Sequence, residues 1–250
     1  MRIALFVVTL GLMTSAAAQQ RAPLSPLGEK IQAAMQSDIR SAAEKQRDRN
    51  RKPIQTLEFL GLQDDMIVVE FFPGGGWYTR ILGPVLRDKG QLYLAVGASR
   101  VDLSPESLNK VEVLDVDAQL TPSEVGGIFN ISDFSLPVKD VDMLLTFRNL
   151  HNLTAEARAR VNKAVYEALA PGGIYGVVDH TRRHMEKQNS ENRRRVDPVL
   201  MIKEIQAAGF EFVDFSDLHF RADDELRYEV GRRTVTGNTD RFTLKFVKPE

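Results

Sequence analysis

Strand-length apolar runs alternate with helix-length amphipathic segments along most of this chain, and this alternation limits the folds available to it. Such runs, of five to seven residues, occur at 66–71, 91–96, 127–132, 141–147, 174–178 and 210–215, and an alternating segment at 241–247 predicts a seventh strand. The patterns at 154–169 and 197–208 predict helices, with Thr154 as N-cap and Pro198 in the first turn. Parallel strands need such crossover segments, because consecutive strands run in the same direction. We therefore expect an α/β fold with a mostly parallel seven-stranded sheet and helices on both faces.

Three parts of different character follow one another in the chain. Residues 1–18 have a leader-like pattern, residues 19–53 form a polar stretch, and the strand and helix patterns occupy 54–250. We predict a signal peptide, an N-terminal helical extension and one α/β domain with these boundaries. Within the domain, residues 99–125 are ambiguous, because 111–114 could form a strand and the remainder a helix or a loop.

The leader has the composition of a secretory signal peptide. Arg2 precedes an apolar run at 3–13, and Ala16 and Ala18 occupy the two small-residue positions that signal peptidase recognises. This run is shorter than the roughly 20 residues that a membrane-spanning helix needs. We predict cleavage after Ala18, a periplasmic mature protein and no stable insertion in the membrane. The alternative is an uncleaved membrane anchor.

The polar stretch carries one apolar stripe. Its members recur every four residues, as on one face of a helix: Leu27, Ile31, Met35, Ile39 and Ala43. We predict a single amphipathic helix laid over the main domain, which ends in a basic run at 47–52 because Pro53 disfavours helix in the residue before it. We expect this run to be a solvated helix end with cations near the negative pole of the helix dipole. A site for an anionic substrate or a lipid head group is the alternative.

Composition narrows the partners and the chemistry. The chain has 33 Lys and Arg against 34 Asp and Glu, a net charge of -1, so it lacks the positive field typical of nucleic-acid binders and we expect no such partner. Because the chain has no cysteine, thiolate nucleophiles and Cys-ligated metals are excluded. His180 and His184 could share a helix face, but without a third ligand nearby we predict no metal site. Nothing in the sequence indicates the oligomeric state.

A glycine-rich loop follows the first apolar run. Glu70 lies near the end of that run, residues 74–76 are all glycine, and a helical pattern begins near Tyr78. A strand, a glycine loop and a helix N-terminus let a ligand approach free backbone N–H groups, as in doubly wound nucleotide-binding folds. No Gly-Lys-Ser/Thr follows, and the third glycine of the dinucleotide fingerprint would fall on Thr79, so neither a P-loop nor a nicotinamide site is favoured. A purely structural glycine turn is the alternative.

Several segments together resemble one family. They are PGGGWYT at 73–79, DFSLP at 133–137, FRNLHN at 147–152, LAPGG at 169–173 and DRFTLKFVKP at 240–249. Their order and spacing resemble class I S-adenosylmethionine-dependent methyltransferases, specifically exported or predicted methyltransferases of bacteria, over 47–249. The resemblance implies a Rossmann-like class I methyltransferase fold, S-adenosylmethionine as cofactor, and methyl transfer to an unidentified small-molecule acceptor. The alternative is a non-catalytic ligand-binding protein of the envelope that retains the fold.

The resemblance also implies roles for individual residues. Those expected to bind the cofactor are Glu70, Gly74, Gly75, Gly76, Asp133 and Phe134. Those expected on the acceptor side are Trp77, Tyr78, Arg148 and Asn149, with packing or pinning of the loop as the alternative for each. The chain departs from the family pattern in two places: Phe72 stands at the position of the first motif glycine, and residues 95–97 lack the acidic residue that usually binds the ribose.

Methyl transfer to a hydroxyl group requires a general base, and histidine has a suitable pKa. His151 follows the fourth predicted strand, at the sheet edge where ligands bind in such folds, and Asp179 and His180 follow the fifth. We therefore predict His151, Asp179 and His180 as catalytic residues. For His151 the alternative is a structural histidine that ties down its own loop.

Overall fold

The computed structural model describes residues 23–250, so the predicted signal peptide and its cleavage site lie outside the described residues. The helices are α1 (Pro26–Gln36), α2 (Ala42–Gln46), α3 (Asp48–Arg51), α4 (Pro53–Leu60), α5 (Thr79–Leu86), α6 (Ala155–Ala168) and α7 (Pro198–Ala207). The strands are β1 (Ile67–Phe71), β2 (Gln91–Ala95), β3 (Glu112–Val113), β4 (Leu120–Pro122), β5 (Phe129–Ile131), β6 (Val141–Phe147), β7 (Leu169–His180), β8 (Glu211–Ser216) and β9 (Arg241–Val247). Across this range, none of the helices has the length and apolar character needed to cross a membrane.

Seven strands form one sheet in the order β3-β2-β1-β6-β7-β9-β8. In this order, the first five strands (β3, β2, β1, β6 and β7) pair in parallel. Strand β9 runs antiparallel to both of its neighbours. Val69 and Leu144 belong to an apolar core shared with α6 and α7, whereas Val68 and Leu145 belong to a second core shared with α1, α4 and α5. Because successive residues of a strand point to opposite faces, the helices cover both faces of the sheet. The predicted fold class is confirmed.

One predicted strand of the main sheet was assigned wrongly. β5, within the run at 127–132, pairs antiparallel with β4 in a separate two-stranded sheet. The strand that completes the main sheet is β3, in the segment that the sequence left ambiguous. The apolar residues of β5 instead serve the core beneath α6, where Ile131 is buried and the Thr154 N–H donates to the Phe129 carbonyl at 3.0 Å. A short apolar run specifies burial but not its pairing partner.

The N-terminal region forms several short helices, so the prediction of one continuous helix was wrong. α1 ends at Gln36, and Ser41 caps α2 by accepting from the Glu44 N–H while Glu44 accepts from the Ser41 N–H. These local side-chain bonds compete with helix continuation. Ile31 is buried in the core with α4 and α5, whereas Ala43 is exposed.

The carboxyl ends of the parallel strands lie at one edge of the sheet. At this edge the glycine loop follows β1, residues 148–152 follow β6, and Asp179 and His180 end β7. The sheet order therefore brings together the segments that carried the sequence motifs.

Candidate active site

The glycine loop borders a cavity of about 200 Å³ next to the end of β1. Gly74 and Gly76 have φ of +63° and +80°, left-handed values that favour glycine, and α5 begins three residues later at Thr79. A Cβ atom added to Gly74 or Gly75 would meet no atom within 4 Å. The backbone of the loop is thus open to a ligand. We call this space the glycine-loop cavity; it is also lined by Glu44, Arg47, Arg51, Glu70, Phe72, Pro73, Trp77, Tyr78, Phe147, Arg148 and Asn149.

Glu70 is buried at the end of β1 and joins it to the first turn of α5. The Thr79 hydroxyl donates to Glu70 Oε2 at 2.6 Å. Burial raises the pKa of the Glu70 carboxyl to about 7, because removal from water penalises the ionised form more than the hydrogen bond from Thr79 favours it. At neutral pH Glu70 is therefore only partly ionised.

This raised pKa makes a pH-dependent contribution to stability. Between 4.5 and about 7 the folded protein keeps a proton on Glu70 that the unfolded chain releases, so the contribution of Glu70 is largest below 4.5 and declines as the pH rises through about 7. The difference corresponds to about 3 kcal/mol. The free energy of unfolding of Glu70→Gln, relative to that of the wild type, should therefore be higher at about pH 8 than at about pH 5, by up to this amount. Urea unfolding at both pH values measures it.

Glu124, an exposed loop residue, supplies the control. Glu124→Gln should have the same effect on the free energy of unfolding at both pH values. If the effect of Glu70→Gln on the free energy of unfolding were also the same at both pH values, the buried carboxyl would not hold its proton.

Trp77 and Tyr78 are both buried, so their contribution to the cavity wall is also a packing contribution. Trp77 Nε1 donates to the Glu44 carbonyl at 3.0 Å, and the Tyr78 ring stacks on Phe147 with 3.6 Å between centroids. These contacts fix the N-terminal region and the end of β6 against α5.

The residues after β6 are shared between this cavity and a second one. Arg148 has φ of +64°, uncommon for a residue with a side chain, and it lines the glycine-loop cavity. Asn149 Nδ2 donates to the Phe72 carbonyl at 3.1 Å and to the Thr146 hydroxyl at 3.2 Å, which joins the ends of β6 and β1. Asn149 thus holds the loop, while Arg148 faces the ligand space.

His151 and Asp179 form a buried hydrogen-bonded pair. His151 Nδ1 lies 2.5 Å from Asp179 Oδ1, and the backbone N–H groups of His151 and His180 donate to the same carboxylate at 3.0 and 2.7 Å. Because an ionised carboxylate only accepts, we assign the proton to His151 Nδ1, which leaves Nε2 as the acceptor. This is the arrangement of a general base and its orienting group.

His180 lies next to His151 and is hydrogen-bonded to Thr239. Its ring lies 4.9 Å from that of His151, and its Nδ1 lies 2.9 Å from the Thr239 hydroxyl. Burial and the neighbouring His151 lower its pKa well below the ordinary value, so the ring is neutral. The His180 ring thus lies beside the pair, and His184 is bonded elsewhere, 2.9 Å from Asp197.

His151 lines a second cavity of about 280 Å³, here called the His151 cavity. Its wall combines apolar side chains, among them Ile128, Leu153 and Leu200, with Arg158 and Arg182. Gly74 and Gly75 are not among its lining residues. The loop after β6 thus borders both cavities, but different residues of this loop line each of them.

Comparisons with known proteins identify the fold. No protein-family model and no curated protein matches the chain. Among solved structures, an S-adenosylmethionine-dependent methyltransferase from Aquifex aeolicus superposes with a TM-score of 0.51 at 15% identity, over 88% of this chain and 98% of that one. Human N-acetylserotonin methyltransferase in complex with S-adenosylmethionine gives 0.52 at 12% identity, over 90% and 57%. The chain has the Rossmann-like class I methyltransferase fold.

A third structural neighbour performs another reaction on this methyltransferase fold. The [4+2]-cyclase SpnF superposes with a TM-score of 0.51 at 18% identity, over 86% of each chain. At such identities the likeness establishes the architecture alone, and the reaction has to be argued from the site.

Within the methyltransferase fold, Asp133 and Phe134 lie away from the glycine-loop cavity. The Asp133 side chain is 93% exposed and pairs with Arg160 at 2.9 Å, and neither Asp133 nor Phe134 lines that cavity. Phe134 stacks on Phe71 with 6.0 Å between centroids. The structure therefore brings Glu70 and the glycines together with Trp77, Tyr78, Arg148 and Asn149, but it does not bring Asp133 to them.

Sequence reasoning missed Arg51 as a residue of the site. It was expected in a solvated helix end, yet it is 7% exposed and lines the glycine-loop cavity. α3 turns it inward, and Lys52, with φ of +40°, redirects the chain into α4. The basic run at 47–52 was the signal, and its alternative interpretation, an anion site, is the one that fits Arg51.

Proposed function

We propose that the protein is an S-adenosylmethionine-dependent methyltransferase of the exported bacterial group that its motifs resemble, acting on an unidentified small-molecule acceptor. The observation that carries this proposal is the open glycine loop beside Glu70, at the carboxyl edge of a sheet with methyltransferase strand order. Ligands of doubly wound folds bind at this edge. The motifs at 73–79 and 147–152 meet there.

The residues of the glycine-loop cavity fit the amino-acid end of the cofactor. Gly74 and Gly75 leave room for close approach, and the Glu70 carboxyl can accept from an ammonium group. The cavity volume of about 200 Å³ lies below the roughly 300 Å³ at which pockets begin to enclose whole drug-sized ligands, so this cavity would hold only part of the cofactor. When bound, the cofactor supplies an electrophilic methyl group on a sulfonium.

The chain's own residues would position the acceptor and remove its proton. His151 Nε2 is available as an acceptor because Asp179 holds the Nδ1 proton, and a buried carboxylate stabilises the imidazolium that forms when Nε2 takes a proton. The apolar side chains of the His151 cavity, together with Arg158 and Arg182, would hold the acceptor beside His151. His151 is therefore assigned the role of general base, with Asp179 as its positioning residue.

A second candidate function is ligand binding without catalysis. Two features favour it: the end of β2 has no carboxylate for a ribose, and a Cβ added to Gly97 would lie 3.4 Å from the Phe72 ring, which borders the same place. Calorimetric titration with S-adenosylmethionine, S-adenosylhomocysteine and NADH separates the functions. Binding of the first two and not the third supports the methyltransferase; no binding of either S-adenosyl compound would refute it.

We also propose that the protein acts in the periplasm, supported by the leader at residues 1–18. The small residues Ala16 and Ala18 favour removal of the leader after Ala18. We expect the intact mass of protein recovered from the periplasm to correspond to a chain that begins at Gln19. A mass that still includes Met1 would contradict the cleavage prediction, and recovery from the cytoplasm alone would contradict the location.

A further inference from the structure

Arg51 is a buried cation that faces a ligand cavity. Its guanidinium lies 4.3 Å from the centroid of the Trp77 ring, and its backbone carbonyl accepts from the Thr56 hydroxyl and from His219 Nε2, both at 3.0 Å. These contacts hold the residue rigidly at the end of α3. The ring provides a surface for the guanidinium but no negative charge.

Three other buried arginines of the described chain have carboxylate partners, and a fourth, Arg241, donates to two backbone carbonyls instead. Arg40 bonds Asp48, Arg158 bonds Glu204 and Arg195 bonds Asp224, in each case through two nitrogens. Within residues 23–250, Arg51 and Arg148 have no Asp or Glu oxygen within 4.0 Å. Arg51 is buried and Arg148 is half-buried, and a cation removed from water without a carboxylate partner is costly, so these two positions differ from the three ion pairs.

The electrostatics of the glycine-loop cavity are strongly positive. Arg47 lines the same cavity, and burial together with the neighbouring arginines lowers the pKa of Arg51 and of Arg148. Of the two carboxyls in the wall, Glu44 is paired with Arg80 at 2.8 Å, and Glu70 has a pKa of about 7. Neither supplies a full counter-charge to the two guanidinium groups.

We infer that Arg51 and Arg148, with Arg47, form an anion site opposite the glycine loop that binds the carboxylate or phosphate group of a ligand. Planar guanidinium groups donate two parallel hydrogen bonds to either kind of group. The anion site itself does not depend on the proposed function. One of its two candidate occupants, the carboxylate group of the cofactor, does depend on that function. The other occupant is a separate anionic ligand.

The test is calorimetric titration of the protein with inorganic phosphate at fixed ionic strength, and with S-adenosylhomocysteine and 5′-methylthioadenosine. We expect Arg51→Met and Arg148→Met each to weaken anion binding by at least about tenfold. Arg87→Met is the matched control, because Arg87 pairs with the exposed Glu106 and does not line the cavity. It should bind every probe like the wild type. Circular dichroism checks that each variant is folded.

The probes also distinguish the two sources of the anion. For a separate ligand, phosphate binds equally well with and without saturating S-adenosylhomocysteine. For the cofactor's carboxylate, S-adenosylhomocysteine displaces phosphate, and Arg51→Met weakens its binding but not that of 5′-methylthioadenosine, which lacks the amino-acid part. Either result supports the site. Unchanged affinities for phosphate and S-adenosylhomocysteine in both folded variants would overturn it, whereas phosphate binding without S-adenosylhomocysteine binding would refute only the methyltransferase function.

Discussion

Replacement of His151 by alanine is expected to lower the turnover of the protein by about 100-fold to 10,000-fold, the usual loss for a positioned proton acceptor, with cofactor affinity nearly unchanged. The effect on turnover follows from the pair with Asp179, whose 2.5 Å contact fixes the Nδ1 proton and leaves Nε2 to accept. The effect on affinity is small because His151 does not line the glycine-loop cavity. Release of S-adenosylhomocysteine with an acceptor found by screening measures turnover, and calorimetry measures affinity.

Two further variants make this test specific. His184→Ala removes a partly exposed histidine that bonds Asp197, and it should leave turnover at the wild-type level. Asp179→Asn should lower turnover without adding fully to His151→Ala, because the two residues act as one unit. If His151 only anchors its loop, His151→Ala would instead cost about 1–3 kcal/mol of stability with little change in turnover. That result would refute the catalytic assignment.

A valine at position 75 is expected to abolish detectable binding of the cofactor while the fold stays intact. Gly75 has no left-handed φ, and a Cβ there meets no atom within 4 Å, so the folded chain accepts a side chain at this position. The same open space is where the ligand must approach the loop backbone, and a branched side chain would fill it. Circular dichroism and calorimetric titration on the same sample measure both parts of the prediction.

Gly126→Val is the matched control for this experiment. Gly126 lies in an exposed loop, has no left-handed φ, and a Cβ added there also meets no atom within 4 Å, but it does not line the glycine-loop cavity. It should bind the cofactor like the wild type. Gly74→Val, in contrast, should destabilise the fold because φ at Gly74 is +63°. Wild-type affinity for the cofactor in a folded Gly75→Val protein would show that the glycine loop is not part of the binding site.

Most strands could be predicted from the sequence, because a buried parallel strand such as β6 is a near-continuous apolar run and an antiparallel strand such as β9 alternates. β6 and β9 coincide with their predicted bounds, 141–147 and 241–247. Pairing was less predictable: the run containing β5 was expected in the main sheet but pairs with β4, and the place in the main sheet is taken by β3, from the segment left ambiguous. A short apolar run specifies burial but not its neighbour. The prediction of a single N-terminal helix failed for a local reason, because α1 ends at Gln36 and Ser41 caps a new helix.

The candidate site divides in the same way. The sequence placed the glycine loop, Arg148 and His151 at one sheet edge, since strand order and polarity decide which segments follow the carboxyl ends. It did not show that His151 and Gly75 line different cavities, because that depends on the path of the loop after β6. The structure also leaves Asp133 exposed, with Arg160 as its partner.

The sequence by itself determined the α/β architecture, the position of the glycine loop and the positions of His151 and Asp179 after two neighbouring strands. These features follow from periodicity and from order along the chain. Only the tertiary structure decided that Asp179 touches His151 and that Arg51 is buried without a carboxylate. Burial and charge compensation are properties of groups brought together from distant segments, and residue 51 meets the loops after β1 and β6 only in the folded molecule.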